Sequence, residues 1–166
     1  MKKKILMVIL VVVIIAQFIQ PPPNDGSAET AGDISHVIPV SDSMMSLLKT
    51  SCYDCHSNHT NYPWYSRITP VNWWLYDHIE EGKRELNFST IASANFKRKA
   101  RKMKEIAEQV EKHEMPLASY LWIHSEAKLS ESQRKMVIDW AKRAALQVTQ
   151  DSLAAKGSPL NEDRSQ

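Results

Sequence analysis

Cys52-Tyr53-Asp54-Cys55-His56 is the stretch on which the reading of this chain turns. These are the only two cysteines in 166 residues, and a histidine follows the second directly. Two thiols three positions apart fall on one helical turn, where each can add to a haem vinyl group. The next residue then offers an imidazole to the iron. Three other uses of the pair are weaker. A zinc site built from Cys52, Cys55, His59 and a fourth ligand lacks the second half of the usual finger spacing. A thiol redox pair would stand at a strand-to-helix junction, and no strand pattern precedes Ser51. A disulfide would close a very small loop and gain little from loop entropy. The pattern therefore predicts one covalent haem c, with His56 as an iron ligand.

Upstream, residues 43–50 read as a short apolar helix leading into the motif. The N-terminus carries Lys2, Lys3 and Lys4 before an apolar run, stopped by Pro21-Pro22-Pro23. A basic flank followed by an apolar run is the export pattern. Residues 1–20 are thus expected to be an uncleaved signal anchor, or alternatively a cleaved signal peptide. The body would face the periplasm or cell exterior, where haem is attached, or be secreted into the periplasm after cleavage. Residues 21–35 read as a polar linker, 36–149 as one haem-binding domain, and 150–166 as a disordered tail.

Downstream, the second axial ligand has several candidates. Met115 stands before Pro116, which keeps it out of the helical region and in an extended loop. A thioether on a stiff loop suits a distal ligand, although a lone methionine more often fills a core. His78, on a helical segment with Trp74, is the alternative. His59 is too near His56 in sequence to reach the opposite face of the ring, and His113 and His124 read as surface or rim residues.

The aromatic stretches Tyr62-Pro63-Trp64-Tyr65 and Trp73-Trp74-Leu75-Tyr76 suit the wall of a pocket for a flat macrocycle, with Trp64 and Trp74 as lining candidates, or else the core of a small domain. Pro70 fits a helix start and Gly82 a helix end. A third helix over 93–113 carries Phe96, Ala100, Met103 and Val110 on one stripe, with the basic run 97–102 on its outer face. Ser130 and Gln133 form a capping box for a last helix. Met136, Val137, Trp140, Ala144 and Val148 are its expected buried face, with Trp140 reaching the helix before Cys52. The fold expected is all-α: a small cytochrome c-like helical domain around one haem.

The formal charge is +2, and Lys2 to Lys4 supply three positive charges, so the remainder sits near neutrality at −1. A body so nearly neutral is a poor nucleic-acid binder. The basic run 97–102 would at most steer an acidic redox partner or rest on anionic lipid.

With these stretches in order, the sequence resembles the bacterial haem-binding domain family of small exported CxxCH proteins. The matching segments are residues 51–58, 62–66, 70–75 and 81–89, Met115-Pro116, residues 124–130 and Trp140-Ala141. The resemblance implies covalent haem on Cys52 and Cys55 with iron held by His56, and is consistent with Met115 opposite. The family pattern has a second proline after Met-Pro, where this chain has Leu117. No proton-transfer dyad or substrate cleft is legible. The expected function is therefore mono-haem electron transfer with a redox protein partner, at a membrane reached through the N-terminal helix, rather than enzymatic turnover. A haem-based sensor or peroxidase-like protein with a labile sixth site is the alternative.

Overall fold

In the computed structural model, which describes residues 1–156, the described chain is helical, its only β pairing being an isolated bridge between Asp25 and His59. Seven α-helices follow in order: α1 (Lys2–Ala16), α2 (Asp42–Ser51), α3 (Tyr53–His56), α4 (Val71–Glu85), α5 (Phe96–Glu111), α6 (Ala118–Leu121) and α7 (Glu131–Lys156). Local chemistry sets their starts. Ser41 Oγ accepts from the Met44 amide at 3.3 Å, and Asn95 Oδ1 accepts from the Arg98 amide at 2.8 Å. The capping box of α7 forms as expected: the Ser130 amide donates to Gln133 Oε1 at 2.8 Å, and the Gln133 amide to Ser130 Oγ at 3.3 Å.

The C-terminus of α5 is a Schellman motif. The Glu114 amide donates to the Gln109 carbonyl at 3.0 Å and the His113 amide to the Val110 carbonyl at 3.2 Å. His113 takes the left-handed position, at φ 60°, that glycine usually fills. The turn ends on Met115.

Antiparallel α5 and α7 form the main layer. Met103, Ala107 and Val110 of α5 meet Val137, Trp140, Ala141, Ala144 and Val148 of α7 in one buried cluster with Leu48 and Met44 of α2. Trp140 Nε1 donates to the Pro39 carbonyl at 3.2 Å, just before α2, so the last helix closes onto the start of the domain. Met136 departs from its expected place and is 42% exposed; it points away while Val137 fills the core. The basic run is also not wholly outward, because Lys99 and Lys102 are buried. Helical spacing turns every third or fourth position of α5 inward whatever its charge.

Residues 21–35 are not a loose linker. The Asn24 side chain donates to the Ser57 carbonyl at 3.0 Å and to Thr60 Oγ1 at 2.9 Å. Thr30 Oγ1 bonds the Ser89 carbonyl, the Ile34 amide donates to the Phe88 carbonyl at 2.9 Å, and Ile34 is fully buried. Asp33, 2% exposed, accepts from the Ser35 amide and from the Tyr53 hydroxyl at 3.1 Å. Polar residues without periodicity signalled a linker, yet side chains that bond backbone can strap a segment down without helix or sheet.

Other boundaries also shift. Residues 150–156, expected to open a loose tail, continue α7; the rest of that tail, 157–166, lies outside the described residues. None of the residues of α1 is buried, and its 15 residues span about 22 Å against a hydrocarbon core of about 30 Å. Among the described residues no helix is long and apolar enough to cross a membrane, so an N-terminal spanning anchor is not supported.

Gly82 does not end α4 but lies within it, where a Cβ would meet the Cys55 carbonyl oxygen at 2.7 Å. Its missing side chain lets α3 lie directly on α4. Alanine in mid-helix gains about 1 kcal/mol over glycine from propensity alone, whereas overpacking costs about 1–3 kcal/mol. Gly82→Ala should therefore lower the urea unfolding midpoint; a rise would show that the α3–α4 approach is not tight.

Candidate haem site

The four residues of α3 are held from three sides. Tyr53 stacks on Phe88 at 5.2 Å between centroids, and the Phe88 amide donates to the His56 carbonyl at 2.7 Å. Asp54 accepts from the Asn61 amide at 3.1 Å and the Tyr120 hydroxyl at 2.7 Å, tying the motif to the following loop and to α6. Gly82 brings α4 against Cys55.

His56 Nδ1 lies 2.9 Å from the Gly82 carbonyl oxygen and 3.0 Å from that of Leu86. Carbonyls only accept, so Nδ1 carries the hydrogen and Nε2 keeps its lone pair. This is the arrangement that prepares a histidine for a metal, since the second nitrogen fixes tautomer and ring direction. Burial pushes the His56 pKa below its ordinary value, outweighing the raising effect of the two carbonyl bonds, so the ring is neutral near pH 7.

Beside this ring lies a cleft of two adjoining chambers, of about 460 and 290 Å³, sharing Cys52, His56, Glu85, Met115 and Pro116. Leu86, Phe88, Ile106 and Val110 give the larger chamber apolar walls. Cys55, His78 and Tyr120 border the smaller one. Apolar walls, a free imidazole nitrogen, two thiols and a thioether on one cleft fit a haem. Met115, 59 positions after His56 in sequence, is thus brought to the cleft that Cys52, Cys55 and His56 line. His78 also reaches the cleft; its Nδ1 donates to the Trp74 carbonyl at 2.8 Å.

Trp64 and Trp74 do not line it. Trp64 is 79% exposed and packs edge-on against Tyr65, while Trp74, 47% exposed, packs on the His78 ring. The aromatic wall comes instead from Phe88, fully buried between the strap and α3, and from Tyr120. Neither stands in an aromatic cluster, so composition did not point to them. His124 is engaged in structure and does not line the cleft: its Nε2 bonds Tyr65 Oη at 2.8 Å, and its ring stacks on Tyr120 at 4.3 Å. His59 Nδ1 bonds the Gly26 carbonyl at 3.2 Å, and among the described residues no group of three or more His, Cys, Asp or Glu could hold a metal ion, so the zinc alternative has no ligand set.

Cys52 and Cys55 are free thiols. Removal from water is the main cause that pushes Cys52 up to about 12 and Cys55 up to about 11. Neutral thiols are poor nucleophiles, which argues against a thiolate redox pair. In the unloaded native chain at pH 8, Cys55 should alkylate about 100-fold or more below its rate in the urea-unfolded chain, where thiols titrate near 8.5, and Cys52 more slowly still. Equal rates of iodoacetamide labelling would contradict this.

No curated protein and no solved structure matches the chain. A family model described as a haem-binding domain matches residues 11–143, most of the chain and including the strap over the motif; the chain belongs to that haem-binding domain family.

Proposed function

We propose that this chain carries one haem bound covalently through Cys52 and Cys55, with His56 and Met115 as axial ligands, and serves as a one-electron carrier. The observation that carries the reading is the His56 ring, locked by two carbonyls on the wall of a cleft shared with both cysteines and Met115. Bound there, the haem supplies an iron couple between the ferric and ferrous states. The protein's own part is to hold ligands and exclude water. His56 is oriented by the end of α4 and Met115 by the Schellman turn of α5, and Phe88, Ile106 and Val110 would enclose the macrocycle. Methionine as the second ligand would favour the ferrous state and leave no open site, which suits transfer of an electron better than turnover.

Export fits the same chemistry. Residues 1–20, with basic flank and apolar run, would direct the chain to the outer side of the cytoplasmic membrane, where covalent attachment takes place. A redox protein would then be its partner.

A specific feature favours a second reading. His78 borders the smaller chamber, and its hydrogen-bonded Nδ1 leaves Nε2 free, so it could act on a ligand at an open sixth site or replace Met115. Optical spectra of holoprotein decide. Electron transfer predicts low-spin His/Met iron in the wild type, a high-spin species that binds carbon monoxide in Met115→Ala, and an unchanged spectrum in His78→Ala. Wild-type iron that is high-spin and takes up carbon monoxide readily would overturn it in favour of the sensor or peroxidase-like reading.

A further inference from the structure

Among the described residues one cation lines the cleft. Lys102 enters from α5 with its side chain 8% exposed, its ammonium 2.6 Å from Glu105 and 3.2 Å from Glu85. The other formally charged lining residues are carboxylates: Glu85, Glu105, Asp54 and Glu81. The partners of Lys102 face solvent, Glu85 at 67% exposure and Glu105 at 41%. Exposed carboxylates repay little of the cost of enclosing an ammonium. An apolar side chain on this inward position of α5 would cost less, so the charge calls for a partner inside the cleft.

Haem, the group already assigned to this cleft, is an apolar ring with two carboxylates on its propionate arms. Among the described lining residues, Lys102 alone carries a charge that would attract those arms. We propose that Lys102 is a haem-binding residue that pairs with one propionate, releasing Glu85 or Glu105 to solvent, and so fixes which way the ring lies. The inference rests on the haem reading above. A neutralised propionate also places less negative charge near the iron, so the pair holds the reduction potential up.

The test uses full-length holoprotein whose haem propionate carboxyl carbons are labelled with carbon-13. In the wild type, one propionate should titrate at least tenfold in proton affinity below the other, because the ammonium favours its ionised form. In Lys102→Met that difference should vanish and the reduction potential should fall; Lys102→Arg should restore both. Two propionates titrating together in the wild type would overturn the proposal, even if Lys102→Met failed to fold. A potential and titration unchanged in Lys102→Met would overturn it too. A chain that never acquires haem would refute the reading beneath it, whereas attached haem with two free propionates would refute the role of Lys102 alone.

Discussion

Two backbone carbonyls at the end of α4, those of Gly82 and Leu86, fix the His56 ring, and most of the site depends on that contact. An imidazole that donates from Nδ1 has one tautomer, one orientation and one free nitrogen. For the contact to form, α3 must lie on α4 closely enough for a four-residue helix to reach the neighbouring backbone. That distance exists only because position 82 has no side chain. The chain after α4 then turns back, and Phe88 pairs its backbone with the His56 carbonyl and with Ile34 of the strap. One small residue, one histidine and one phenylalanine therefore join three segments that are distant in sequence.

The opposite wall has its own logic. The α5–α7 pair is packed through Met103, Ala107, Val137 and Ala144, and it carries Ile106 and Val110 to the cleft. The end of α5 is not left to fray, because the Schellman turn satisfies its last carbonyls and delivers Met115 beside Pro116. The candidate ligand His56 thus stands on α3 against α4, and the candidate Met115 on the turn that follows α5. A cleft between two packed units can admit a large flat group without opening either core.

How much of this was legible in the sequence follows from how local each signal is. The turn over Cys52–His56, the capping box of α7 and most of the apolar stripes of α5 and α7 are short-range patterns that the structure keeps, although Phe96 at the start of α5 and Met136 on α7 are exposed. That Met115 stands in a loop was legible because Pro116 follows it, and the structure puts that loop on the cleft. Phe88 and Lys102 were not, since a lone phenylalanine in a loop and a lysine in a basic run look alike whether buried or not. Gly82 was read by position as a helix stop, because sequence does not reveal that another helix crosses there. Trp64 and Trp74 erred the other way, since large aromatic residues drew attention by size while the pocket was built by smaller residues. The strap over 21–35 was missed because its order comes from side chains bonding distant backbone, a signal without periodicity.

Family membership establishes that this chain binds haem, and the arrangement of Cys52, Cys55 and His56 supports a covalent bond. The most direct measurement is the intact mass of the denatured chain, expressed with the haem-attachment machinery, followed by mapping of the proteolytic peptide that spans residues 51–58. The account predicts a mass increase of one haem that survives denaturation and resides on the peptide containing Cys52 and Cys55. A chain that releases its haem on denaturation, leaving that peptide at its unmodified mass, would contradict it.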